Sequence, residues 1–124
     1  MCRRGAESFG KRVRLRRRAE YLAVQRGNLR VVSHAFIGLV SIKKEGVSRL
    51  GITTAKQVGN AVQRNRTRRL VREAFRRRWM HLPEEGVDLV VVAKTRAQEI
   101  DGKAVFRDLA VLGQKVRKLV EELS

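Results

Sequence analysis

The chain predicts an α+β fold, a two-layer α/β sandwich in which about four strands pack against three helices. Two observations predict it. Runs rich in β-formers, Ser33 to Ile42, Arg49 to Ala55 and Val87 to Ala93, are interleaved with helical patterns. A length of 124 residues with 43% hydrophobic content suits one core, so residues 1–124 are read as a single domain.

Each element has its own local reason. Residues 1–14 are basic and poor in apolar side chains, which predicts a flexible arm. Between Leu15 and Gln25, Leu15, Ala19, Leu22 and Val24 follow a loosely helical pattern, and Gly27–Asn28 supply a stop. "SHAFIGLVSI" (Ser33 to Ile42) reads as a strand, and "KKEGVS" as the turn after it. "RLGITTA" (Arg49 to Ala55) alternates Leu50, Ile52 and Thr54 with other residues, as the partner strand of a hairpin would. A long helix occupies Gly59 to Trp79, and "HLPEEG", with the only proline, Pro83, breaks the chain after it. "VDLVVVA" (Val87 to Ala93) is nearly continuous in apolar residues, which suits a strand buried on both faces. Val105, Leu109, Leu112, Val116, Leu119 and Leu123 recur at spacings of 4, 3, 4, 3 and 4, the signature of an amphipathic helix.

Charge narrows the choice of partner. Lysine and arginine number 29 against 12 acids, for a net charge of +17 and a pI near 11.6. Such an excess opposes compaction and favours a polyanion, either nucleic acid or an anionic membrane surface. No apolar run approaches a membrane span, and the first residues lack the hydrophobic region of a signal peptide. A cytoplasmic protein is the expectation. Cys2 is the single cysteine, and His34 and His81 stand far apart, which argues against a disulfide framework or a metal site.

The densest charge lies in "GNAVQRNRTRRLVREAFRRRW", Gly59 to Trp79, with eight arginines and one acid, Glu73. At 100° per residue, Thr67, Leu70, Val71, Ala74 and Phe75 share the face that should meet the sheet. Asn65, Arg69, Arg72 and Arg76 form a stripe opposite; Arg66 and Arg77 flank it, and Arg64 and Arg68 sit nearer the packing edge. Solvated helices normally mix signs, and like charges at helical spacing repel. Guanidinium groups fork onto phosphate oxygens with two hydrogen bonds, so this surface points to ordered phosphate contacts. Asn60 is placed to cap the helix, whose free N–H groups could add a pull on phosphate. DNA and RNA are not distinguished by these features.

"AKQVGNAVQRNRTRRLVREAFR" closely resembles the signature of the bacterial ribonuclease P protein component. The matching positions are Lys56, Gly59, Asn60, Ala61, Val62, Arg64, Asn65, Arg66, Arg68, Arg69, Arg72, Glu73, Phe75 and Arg76. The likeness extends over most of the chain, through "RLGIT", "DLVVVAK" and the amphipathic end. Gln57 stands where a second lysine is common, and Gln25 near a position where many members carry a second aromatic. The resemblance implies a catalytic RNA that uses Mg²⁺ to remove the 5′ leader of precursor tRNA. It implies a protein that grips this RNA with the "RNR" helix through Lys56, Asn60, Arg64, Asn65, Arg66, Arg68, Arg69, Arg72 and Arg76. Tyr21 in the first helix and Phe36 in the first strand match aromatics lining a leader cleft between that helix and the sheet. The resemblance also implies a left-handed strand–helix–strand crossover around the "RNR" helix, against the usual right-handed rule. DNA and membranes are not partners on this reading.

The residues themselves offer no catalytic apparatus. No serine, cysteine or histidine constellation resembles a nucleophile site, and Asp88, Asp101 and Asp108 are scattered in sequence. Three other functions stay open: a structural, ribosomal-type RNA-binding protein, a DNA-binding regulator, and a nuclease in its own right. Regulators read base edges with mixed polar residues, whereas an arginine stripe suits backbone phosphates.

Overall fold

The computed structural model describes residues 14–15, 18–26, 29–54, 59–83 and 85–123. The elements in order are α1 (Arg18–Arg26), β1 (Leu29–Val32), β2 (Phe36–Val47), β3 (Arg49–Thr54), α2 (Ala61–Arg76), β4 (Glu85–Ala93), a 3₁₀ turn (Thr95–Gln98) and α3 (Gly102–Leu123). The four strands form one sheet in the order β1-β2-β4-β3. β2 runs antiparallel to β1 and β4, and β3 runs parallel to β4 around α2.

This order corrects the expected hairpin between "SHAFIGLVSI" and "RLGITTA". β4 lies between those strands, and β3 pairs with it from Arg49↔Asp88 to Thr54↔Ala93. The expected turn "KKEGVS" is mostly strand: β2 continues to Val47, with a register shift against β4 between Ile42 and Val47. Gly46 sits within that shift at φ 104, where a side chain would be strained. The true tight hairpin lies one strand earlier. β1 and β2 turn at Ser33–Ala35, where Ser33 N–H donates to the Phe36 carbonyl at 2.8 Å. Asp108 on α3 clasps this turn, accepting from Ser33 Oγ at 2.7 Å, Ala35 N–H at 2.9 Å and His34 N–H at 3.1 Å.

Strand pairing divides the side chains between two faces. Phe36, Val40, Leu50, Leu89, Val91 and Ala93 face α2 and α3 and form the main core. Leu39 and Val90 face α1 and meet Leu15, Tyr21 and Val24 in a smaller cluster. β4 is buried on both faces from Val87 to Val91, as its apolar run predicts. The stripe of α3 is buried at Val105, Leu109, Leu112 and Val116, while Leu123 at its end is exposed. Gly113 lets α3 approach the turn after α2, since a Cβ there would stand 1.8 Å from the Met80 carbonyl oxygen.

The start of the chain also departs from expectation. Leu15 is not the first helical residue: its N–H donates to the Leu50 carbonyl at 2.9 Å, and Arg14 forms a parallel bridge with Leu50. Arg14 therefore belongs to the sheet edge instead of the arm, and residues 1–13 lie outside the described residues. Because Leu15 does not set the helical phase, α1 turns Tyr21 and Val24 inward and leaves Ala19 exposed.

Candidate nucleic-acid interface

α2 begins with a capping box. Asn60 Oδ1 accepts from Gln63 N–H and Gln63 Oε1 accepts from Asn60 N–H, both at 2.9 Å. Gly59 before it holds φ 133, a conformation open to glycine and disfavoured for side chains. Arg64 returns to this corner and donates to the Gly59 carbonyl at 2.8 Å. The "GNAVQR" segment thus fixes the entry angle of the helix before any ligand arrives.

The faces of α2 follow the helical wheel. Thr67, Val71 and Ala74 are buried, and Leu70 and Phe75 pack on the core. Thr67 satisfies its hydroxyl on the Gln63 carbonyl at 3.1 Å. Asn65, Arg69 and Arg72 are exposed on the outer face, with Arg64, Arg66, Arg68 and Arg76 half-buried around it. Arg66 crosses to the Ile100 carbonyl at 3.1 Å, tying α2 to the segment before α3. Among the described residues, the side chains of Asn65, Arg68 and Arg69 make no hydrogen bond or ion pair. Glu73 pairs with Arg76 at 2.6 Å and with Arg77. Hydrogen bonds from Arg76 and then Arg77 hold its carboxyl below the usual glutamate range. That compensation sits at the C-terminal end of the helix and leaves the "RNR" end positive. Lys56 and Gln57 lie outside the described residues, as does the side chain of Gln25.

Tyr21 belongs to a second surface, on the face of the sheet opposite α2. Its ring lies on β3, where a Cβ at Gly51 would approach within 2.7 Å of it. Its hydroxyl accepts from Ile52 N–H at 3.3 Å, and the side chain stays half-exposed. An ion-pair network ties α1 to this face. Asp88 accepts from Arg49 at 2.7 Å and Lys43 at 2.9 Å, and Arg49 reaches Glu20 of α1 at 2.9 Å. Burial pushes the Asp88 carboxyl up, but the hydrogen bonds from Arg49 and Lys43 outweigh it and hold the group below its ordinary value.

Phe36 does not join Tyr21. It is fully buried and pairs with Ala93 on the α2–α3 side of the sheet, so no nucleotide can stack on it. β2 is apolar on both faces, so alternation alone could not say which side Phe36 takes. The adjacent residue Ile37, half-buried and paired with Val92, faces the α1 side instead.

Comparison with known proteins places this architecture. The family profile described as Ribonuclease P matches residues 9–117. The chain belongs to the ribonuclease P protein family. A protein of Oleidesulfovibrio alaskensis named Ribonuclease P protein component is 40% identical over 113 residues, covering 89% of this chain and 85% of its own. The RNase P protein from Thermotoga maritima superposes with a TM-score of 0.72 at 31% identity, covering 83% of this chain and 97% of its own. The Staphylococcus aureus RNase P protein superposes at 0.75 with 25% identity, covering 87% and 97%. Of the residues matched to the ribonuclease P signature, the fold gathers Asn60, Arg64, Asn65, Arg66, Arg68, Arg69, Arg72 and Arg76 along α2. It sets Tyr21 on the opposite side of the sheet and Phe36 inside. The Glu20–Arg49–Asp88–Lys43 network was not legible beforehand, because it joins residues from α1, β2, β3 and β4 that share no sequence motif.

Proposed function

We propose that this chain is the protein subunit of a ribonucleoprotein that removes the 5′ leader of precursor tRNA in the cytoplasm, with the RNA subunit as catalyst. The observation that carries this reading is the rigidly capped α2, whose outer arginines project from a helix locked to the sheet and to the segment before α3. Such a surface suits the phosphates of a folded RNA, because it fixes guanidinium positions before binding. The α1 face, with half-exposed Tyr21 above the sheet, suits the single-stranded leader, because an aromatic ring accepts any base. Held on opposite sides of one sheet, the two surfaces would let a single small protein bridge catalyst and substrate.

The reading assigns Mg²⁺ to the RNA. Among the described residues no group of three or more histidine, cysteine, aspartate or glutamate side chains stands together. Asp88 and Glu73 are held by cations, Asp108 clasps the β1–β2 turn, and Asp101 caps α3 by accepting from Ala104 N–H at 2.8 Å. Its contribution is electrostatic and positional: it screens repulsion between two RNAs and orients the leader. No helix among the described residues is long and apolar enough to cross a membrane.

The test combines two variants with distinct readouts. Arg68→Ala/Arg69→Ala removes side chains that make no hydrogen bond or ion pair among the described residues, so the fold should persist. Affinity for the catalytic RNA should fall by about 1–3 kcal/mol per lost charge-assisted contact. Tyr21→Ala should weaken holoenzyme binding to precursor tRNA with a leader and spare mature tRNA. Cleavage of precursor tRNA by the purified protein without RNA would refute the division of labour. Equal Tyr21→Ala losses on precursor and mature tRNA would move the leader elsewhere.

A further inference from the structure

The C-terminal end of α2 carries a feature that the "RNR" contacts do not use. The helix closes in a Schellman motif: Arg78 N–H donates to the Phe75 carbonyl at 3.0 Å and Trp79 N–H to the Ala74 carbonyl at 2.9 Å. Arg78, at φ 63, occupies the left-handed position that this motif usually gives to glycine. Backbone energetics alone favour glycine there, because a Cβ crowds the following carbonyl. The chain has an exposed arginine instead.

The residue after it is the chain's one tryptophan. Trp79 is fixed rather than loose. Its ring meets Phe106 edge-on at 4.7 Å between centroids and 69° between planes, and the Arg77 guanidinium lies 5.7 Å from its centroid. Even so, the residue remains 40% exposed. A rigid, solvent-facing aromatic behind three successive arginines, Arg76 to Arg78, matches an unpaired nucleotide: ring for base, guanidinium for phosphate. A second copy of this chain, also at +17, would be repelled from that spot.

Building on the subunit reading above, we propose that Trp79 stacks an unpaired base of the catalytic RNA. Arg78, set in its left-handed conformation, holds the phosphate of the same nucleotide. The RNA interface then continues from the outer face of α2 around its C-terminal turn.

Because Trp79 is the sole tryptophan, its fluorescence reports on this site directly. The full-length protein is titrated with in vitro transcribed ribonuclease P RNA, and separately with precursor tRNA alone. The catalytic RNA should quench Trp79 and lower its accessibility to acrylamide several-fold, while precursor tRNA should change neither. Trp79→Leu should weaken RNA binding about tenfold. Arg78→Gly should lower RNA affinity several-fold and flatten its salt dependence by about 0.7 of a log–log unit. A merely structural residue would not move the salt slope. Tight RNA binding with Trp79 still open to acrylamide would overturn the proposal, as would undiminished RNA affinity in Arg78→Gly. Shielding by precursor tRNA, or by protein concentration alone, would overturn it by naming another occupant. If Arg68→Ala/Arg69→Ala weakens binding while Trp79 stays unshielded, this inference fails and the subunit reading stands. If the RNA does not bind at all, both fall.

Discussion

Asp88→Asn tests how the α1 surface is held together. The side chain of Asp88 is only 10% exposed and accepts from both Arg49 and Lys43, whose side chains are 30% and 26% exposed. Asparagine keeps the shape but removes the charge, which leaves two cations side by side with Glu20 as their remaining acid in the network. Breaking a fully buried pair costs about 3–5 kcal/mol. Here the two cations keep part of their hydration, which reduces the expected loss to about 2 kcal/mol. At roughly 2.1 cal/mol/K of unfolding entropy per residue, a loss of that size lowers the thermal midpoint by about 8 °C. The pH dependence gives the sign. The folded-state pKa of Asp88 lies below the ordinary aspartate value, so its contribution is complete above that ordinary value. It is lost as pH falls through the lower folded value. Urea unfolding of wild type and variant between pH 3 and pH 7 should therefore show a gap that is full at neutral pH and narrows at the acid end. A gap under about 0.5 kcal/mol at pH 7, or one that widens on acidification, would refute the reasoning.

Two further perturbations probe the other layer. Gly113→Ala should destabilise the protein by about 2 kcal/mol or more, because the new Cβ would sit 1.8 Å from the Met80 carbonyl oxygen and force α3 off the turn. Helix propensity alone would give a gain of up to about 1 kcal/mol, so the sign of the shift in urea midpoint decides between the two. Glu73→Gln removes the acid that Arg76 and Arg77 share, so the thermal midpoint should drop at low salt and recover toward wild type near 1 M salt, where the Debye length is about 3 Å. A drop that salt does not change would place the role of Glu73 outside charge compensation.

What the sequence discloses depends on how far each interaction reaches along the chain. The buried face of α2, the stripe of α3 and the two-sided burial of β4 are periodic properties of single segments, and the structure places them as the periodicity predicts. Strand partnership is a different kind of information. "RLGITTA" looks like half of a hairpin because its alternation reports a strand, but nothing local reports that β4, some forty residues on, inserts between it and β2. The same limit hid the side taken by Phe36 and the pairing of Glu20 and Asp88 through Arg49. Those long-range pairings explain how a chain at +17 can still present an arginine surface. Asp88 and Glu20 bind cations of the sheet, Asp101 and Asp108 bind backbone N–H groups, and Glu73 serves the last turn of α2. Among the described residues, Arg64, Arg66, Arg68 and Arg69 form no ion pair with any of these carboxylates. The repulsion among those arginines weakens the free protein, and a phosphate backbone laid against them would relieve it, so binding and folding should reinforce each other.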